Sequence, residues 1–277
     1  MDFISNIPPL PAPLVSWTLP PSLVSFASPP PPDAPFAAKL LSSLATSFGT
    51  WFLIYPAATL LLLLFAKPLQ PYKLNPKPWS RPLMLKEVLR SSSSLLVSVL
   101  LELLTLELLP VPAPCAAPAL SCPISPDAFF HAPSLLRLLL ILVWADLHFY
   151  CVHALLHVSP FLYRRVHKVH HESINTNPLS GLSFHPVEGL LYFTSTLLCV
   201  LLPMSPLEIR AIKIGLVIAP IGGHWGYSLF SDVKTGQPHH YLHHTKFSYN
   251  YGAGFLPDGW VADKVMGTTY EGKETGQ

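Results

Sequence analysis

Leu138-Leu139-Leu140-Ile141-Leu142-Val143-Trp144-Ala145-Asp146-Leu147-His148-Phe149-Tyr150-Cys151-Val152-His153-Ala154-Leu155-Leu156-His157 is apolar for most of its length and ends on two histidines four residues apart. As a helix it is long enough to cross a ~30 Å hydrocarbon core. Residues i and i+4 share a helix face, so His153 and His157 project together from the end of this span. The segment therefore predicts a membrane helix that delivers a pair of metal-type ligands.

The composition agrees. Of 277 residues, 50% are hydrophobic and 12% charged, about half the ~25% usual in a soluble domain. The mean hydropathy is positive, at +0.42. A net charge of +2 leaves no basic surface suited to gripping phosphates, so nucleic acid is not an expected partner. Residues 1–35 hold eleven prolines and form a proline-rich, extended and disordered segment. No Lys or Arg precedes Lys39, so the basic start of a signal or transit peptide is missing. An N-terminal membrane region covers 36–137, a histidine-bearing domain 138–270, and a short tail 271–277.

Leu40–Ala66 is uncharged and makes a first span, with Pro56 as a kink point; Ser91–Val111 makes a second, interrupted by Glu102 and Glu107. These acids are expected at interfacial or lumen-facing positions, or as neutralised acids, rather than in catalysis. The stretch 189–231 is broken by Pro203, Pro206, Arg210, Lys213 and Pro220, and reads as a helical hairpin or re-entrant segment. The fold class is thus an all-α integral membrane protein of about four transmembrane or re-entrant helices with a cytoplasmic helical cap. Orientation follows from Lys67, Lys73, Lys77, Arg81, Lys86 and Arg90, which place 67–90 in the cytoplasm and the 113–132 loop in the lumen. All the later histidines then fall on the cytoplasmic side. Cys115 and Cys122 share that lumenal loop, and both a disulfide and two free thiols suit it.

Twelve of the thirteen histidines lie between His148 and His244. After His153 and His157 come His167-Lys168-Val169-His170-His171 and, with the same HxxHH spacing, His240-Tyr241-Leu242-His243-His244. On a helix the adjacent pair diverges by about 100°, so one block can serve two neighbouring centres. With His224 the set holds nine imidazoles, more than the roughly four that one zinc site consumes. Neutral imidazole suits Zn, Cu, Fe or Ni. No HExxH or HxxEH occurs, which argues against a zinc protease. His131 and His148 are expected to be structural. A membrane metal-binding or transport protein is the alternative of another class, and a zinc-dependent lipid hydrolase a third.

From Asp146 to Tyr270 the chain resembles the sterol desaturase and fatty acid hydroxylase superfamily. The resemblance lies in the histidine boxes, Tyr163 to His171, Ser183-Phe184-His185-Pro186-Val187-Glu188, His224-Trp225-Gly226-Tyr227, and the ending Phe247-Ser248-Tyr249-Asn250-Tyr251-Gly252 with Asp263 and Gly267-Thr268. It implies a non-haem di-iron site held by His153, His157, His167, His170, His171, His224, His240, His243 and His244. His185 and His239 are candidates for additional ligands or supports, and Asp146, Glu188 and Asp263 for carboxylates behind the rings. It also implies O2 as co-substrate, electrons from cytochrome b5 and an NAD(P)H reductase, membrane lipids as surroundings, and residence in the endoplasmic reticulum membrane. The first box and the Tyr-Asn-Tyr-Gly ending resemble sterol C-5 desaturases; His239-His240 and His185-Pro186-x-Glu188 resemble C-4 methyl oxidases. A sterol is thus the expected substrate, a fatty acyl or other lipid the alternative. No GxGxxG or CxxCH motif offers this chain its own electron source.

Overall fold

The computed structural model describes residue 30 and residues 33–105, 132–201, 206–228, 239–252 and 261–270. Most of the proline-rich segment, nearly all of the 113–132 loop with Cys115 and Cys122, Glu107, His131 and the 271–277 tail lie outside the described residues. The regular secondary structure of the described residues is helical, apart from one isolated antiparallel bridge between Lys73 and Tyr227. In chain order the main helices are α1 (Phe36–Leu64), α2 (Arg81–Leu103), α3 (Ala132–Val158), α4 (Pro160–Arg165), α5 (Pro186–Phe193), α6 (Pro206–Ile218), α7 (Pro220–His224), α8 (His239–Lys246) and α9 (Val261–Met266). Phe36–Leu64 and Leu139–Val158 are long and apolar enough to cross a membrane.

The helices are packed inside out relative to a soluble bundle. On α1 the buried face carries Ser43, Thr46, Ser47, Thr50 and Thr59 beside Trp51 and Tyr55, while Phe52, Leu53, Leu60, Leu63 and Leu64 point outward. Lipid is as apolar as leucine, so helix association there depends on small residues and hydroxyls that permit close approach. The contact between α2 and α5 shows this: a Cβ on Gly189 would lie 3.2 Å from Ser94 Oγ.

The expected second span begins ten residues early, at Arg81, so the second half of the basic stretch is helical rather than loop. That extension ties the basic segment to the histidine-bearing half. Arg90 bonds Glu172 at 2.9 Å and the Val169 carbonyl at 3.2 Å. The buried Glu87 accepts from Ser173 (2.6 Å) and Asn177 (2.8 Å), and Trp79 Nε1 donates to Thr176 O. Gly226 passes the same carbonyl with φ +83°, where an added Cβ would sit 2.5 Å from Thr176 O. Residues 73–90 and the histidine cap therefore share one side of the bundle.

The region 189–231 is a broken chain of helices: α5, a 3-10 stretch over Thr194–Val200, then α6 and α7. Pro220 explains the junction of α6 and α7. It has no N–H to offer Leu216 O four residues back, and the Tyr192 hydroxyl supplies the missing bond at 2.9 Å. The Tyr55 hydroxyl donates to the next carbonyl, Val217 O.

Of the readings open for Glu102, the structure shows the neutralised one. The residue is 4% exposed, accepts from Arg210 Nε at 2.8 Å, and also pairs with Lys213 and Ser43. Arg210 further donates to Ser42 Oγ (2.9 Å) and Lys213 to Thr46 Oγ1 (3.2 Å). The charges that interrupt two apolar stretches of sequence neutralise one another between α1, α2 and α6. Breaking such a buried pair from one side costs about 3–5 kcal/mol, because the partner keeps an uncompensated charge. E102Q should therefore lower the unfolding temperature of the detergent-solubilised protein by roughly 5–10 °C. K213M, which leaves the Arg210 pair intact, should lower it by less; equal stability of E102Q and wild type would contradict the assignment.

Candidate metal centre

Nine histidines converge from α3, α7, α8 and the 3-10 turn His167–Glu172. His153, His157, His167, His171 and His243 form one group, and His170, His224, His240 and His244 a second; within each, one ring nitrogen per residue lies within 4.8 Å of all the others. The HxxHH blocks divide between the groups: His167 and His171 against His170, and His243 against His240 and His244. The first block does so on a 3-10 turn rather than an α-helix. Gly223 makes room for the second group, since a Cβ there would stand 3.0 Å from that of His240.

The donor geometry fits metal ions. Nε2 atoms face one another at 3.1 Å (His153 and His167), 3.1 Å (His157 and His171), 3.0 Å (His167 and His171) and 3.1 Å (His171 and His243). In the second group the separations are 3.2 Å (His170 and His224) and 3.0 Å (His224 and His244). Metal–nitrogen bonds of ~2.1 Å place neighbouring donors ~3.0 Å apart at a right angle and ~3.4 Å apart at the tetrahedral angle.

The tautomers sharpen the point. His153 Nδ1 donates to Tyr251 O, His243 Nδ1 to Tyr249 O and His224 Nδ1 to Pro220 O, each at 2.7 Å. A carbonyl accepts only, so those protons sit on Nδ1 and each Nε2 presents a bare lone pair to the others. Burial holds His167, His170, His171, His240, His243 and His244 well below the ordinary imidazole range, and neighbouring rings push them further down. Neutral, lone-pair-bearing rings are the form that binds a metal.

The carbonyls that aim the rings are themselves fixed. Asp263 accepts from the Tyr251 N–H (2.9 Å), the Gly252 N–H (2.8 Å), Thr268 (2.7 Å) and His239 (3.0 Å). Burial alone would raise its pKa, but these bonds hold its carboxyl below the usual range. Asn250 adopts φ +58°, a conformation Asn tolerates, and its side chain donates to His239 O. Glu188 accepts from His167 Nδ1 at 2.8 Å, and burial pushes its carboxyl well above the usual range.

His185 and His239 stand outside both groups: His185 caps α5 by accepting from Val187 N, and His239 bonds Asp263. Asp146 is buried. His148 lies apart from the groups, its Nε2 3.2 Å from Thr194 Oγ1. Beside the second group lies a cavity of about 50 Å³, walled by Ala145, Phe149, Phe184, Tyr192 and Leu216 and reached by His153, His170, His224, His240 and Glu188. The sequence gives no sign of this cavity, of the ring-aiming carbonyls, or of what Asp263 holds.

A model of the fatty acid hydroxylase family matches residues 138–268, which contain all nine histidines. The chain is 34% identical over 118 residues to the Delta(7)-sterol 5(6)-desaturase erg3B of Aspergillus fumigatus, covering 41% of this chain and 34% of that one. It is 32% identical over 141 residues to ERG3B of Gibberella zeae, of the same description, covering 47% and 40%. A Delta(7)-sterol 5(6)-desaturase of Eremothecium gossypii is 30% identical over 119 residues, covering 42% and 34%. The chain thus spans about a third to two fifths of the length of these relatives. No solved structure matches it.

Asp263 reaches the metal groups only through the backbone it holds. D263A should therefore weaken metal retention about 10- to 100-fold, the usual cost of removing a ligand's support. Metal content after dialysis against a graded chelator measures this; D263A retaining metal like the wild type would show that the loop holds its carbonyls unaided.

Proposed function

We propose that this chain, whose residues 138–268 match the fatty acid hydroxylase family, is a membrane-bound, O2-dependent di-iron oxidoreductase that hydroxylates or desaturates a lipid. The observation that carries the reading is the apolar cavity set directly against two groups of converging imidazoles. A sterol is the favoured substrate, because the relatives named above are Delta(7)-sterol 5(6)-desaturases. A fatty acyl substrate is the second reading, favoured by the description of the matching family.

The two irons would be held by His153, His157, His167, His171 and His243, and by His170, His224, His240 and His244. They supply the O2-dependent oxidation of an unactivated C–H bond. The protein's part is to aim His153, His224 and His243 by backbone carbonyls and His167 by Glu188, and to line the approach with Phe149, Phe184 and Leu216, which keep water from the reacting carbon. His239 and Asp263 support the loop behind the rings, while His185 stabilises α5. A transporter is a poorer fit: eight of the nine rings are buried, and they close on one another rather than lining a path.

Electrons come, on this reading, from a cytochrome b5-type donor and its reductase. Arg164, Arg165 and Lys168 are exposed beside the first metal group and suit an acidic partner. The basic segment 73–90 lies on the same side as the cap, which by the positive-inside rule supports a metal site facing the cytoplasm; the endoplasmic reticulum is the proposed membrane.

The purified protein should hold two irons per chain and consume O2 while oxidising a Delta(7)-sterol supplied in mixed micelles with a reductant. H170A and H243A, one from each group, should each lose metal and all measurable turnover. A single zinc with undiminished anaerobic turnover would overturn the oxygenase reading; oxidation of fatty acyl lipids alone would move the substrate to the second reading.

A further inference from the structure

The lipid-facing stripe of α3 does not stop at the level of the metal ligands. Val143, Leu147, Cys151, Leu155 and Val158 are all exposed and follow one another at steps of three or four residues. One outer face of the helix therefore stays apolar past His153 and His157, whose rings turn the other way into the metal groups. Ser159 then starts α4 by accepting from the Leu162 N–H at 3.4 Å, with Pro160 in the first helical position, where a missing N–H is no loss. Within α4, Phe161, Arg164 and Arg165 stand at i, i+3 and i+4 and share a face, while the ring of Tyr163 lies 5.3 Å from that of His157. Phe161 is 70% exposed, and both arginines are exposed. With Pro160 they form an open recess of about 360 Å³, and no carboxylate among the described residues lines it.

We infer that this recess seats an anionic phospholipid of the cytoplasmic leaflet, with its phosphate held by Arg164 and Arg165 and an acyl chain along Phe161, Val158 and Leu155. The inference rests on reading α3 as a membrane span whose His157 end faces the cytoplasm. Guanidinium is planar, permanently charged and matched to phosphate oxygens, and two of them with no counter-charge in the recess call for an anion. The apolar stripe decides which anion. A free phosphate or an acidic protein surface would meet the arginines and leave Phe161 and Val158 facing water; a phospholipid meets both at once. Lys168, the third basic residue of this stretch, lies outside the recess and is left for a protein donor. The contact bears on the metal centre as well. α4 runs through Val166 directly into the turn bearing His167, His170 and His171, so a lipid gripping α4 fixes that turn at the leaflet surface.

The test is competitive retention of phospholipid by the full-length protein in mixed micelles, read by native mass spectrometry with phosphatidylserine against phosphatidylcholine. Each basic residue beside an anionic lipid surface is worth about fivefold, so the wild type should prefer phosphatidylserine roughly 30-fold. R164Q/R165Q should bring the two lipids to within about threefold of parity, and R164K/R165K, which keeps the charges, should retain most of the preference. Each single variant, R164Q or R165Q, should lose about fivefold, which gives a reading even where the double variant folds poorly. K67Q/K86Q removes the same charge outside the recess and should leave the preference unchanged. Glycerophosphoserine, the same headgroup without chains, should not displace the bound lipid at equal concentration. Equal retention of the two lipids by the wild type, a preference that survives R164Q/R165Q, or one lost equally in K67Q/K86Q overturns the inference. So does displacement by glycerophosphoserine, which would mark a site for a soluble anion. Loss of cytochrome b5 binding in R164Q/R165Q with the lipid preference intact assigns the arginines to the protein donor instead. Lipid preference without lipid oxidation sinks the oxygenase reading alone; oxidation without the preference sinks the recess alone.

Discussion

Three hydrogen bonds of 2.7 Å from imidazole Nδ1 to backbone carbonyls govern this molecule. Each fixes a proton on the outer nitrogen and turns a bare lone pair inward, where other Nε2 atoms wait at 3.0–3.2 Å. Burial holds the rings neutral, so each keeps a single proton, and where that proton sits on Nδ1 the inward lone pair is free to bind a cation of coordinating size. Much of the surrounding fold serves to keep those carbonyls still: the Asp263 loop behind Tyr249 and Tyr251, and Pro220 at the start of α7.

The same constraint explains how the membrane helices relate to the cap. α3 is at once a lipid-facing helix and the carrier of His153 and His157, so any tilt of the span moves two of the nine donors. Rigidity comes from polar contacts buried among apolar helices. The Glu102, Arg210 and Lys213 cluster clamps α2 to α6, and Glu87 and Arg90 clamp α2 to the turn bearing His167, His170 and His171. One helix is thereby pinned near each end, with hydroxyl-rich contacts between. In lipid, where burial of apolar surface gives no preference for one packing over another, such contacts are what select a single arrangement.

The spans at α1 and α3 and the histidine spacing were legible in the sequence because both are local signals, one of hydropathy and one of helical period. The division of each HxxHH block between two groups was legible for the same reason, although the first block achieves it on a 3-10 turn. What local patterning does not carry is pairing across the bundle. Glu102 reads as a misplaced charge until Arg210, 108 residues later, is brought beside it. Asp263 and Tyr-Asn-Tyr-Gly are recognisable as a motif, yet their work is done by two backbone carbonyls, and a carbonyl has no identity in a sequence. His185 stands outside both groups for a local reason: the proline after it starts a helix, and its Nδ1 caps that helix.

The two groups differ in their surroundings as well as in number. The four-histidine group gives three of its rings to the cavity, whereas the five-histidine group gives one, His153. The latter instead meets Tyr163 and Tyr251, whose rings lie 5.3 and 5.1 Å from that of His157 and are only partly buried. The poorer donor set thus faces the apolar pocket, and the richer one faces the aromatic edge of the cap. The division of the histidine blocks is therefore also a division of labour in space: adjacent residues of one short turn serve a closed side and an open one, and the open one is walled by Phe149, Phe184 and Leu216.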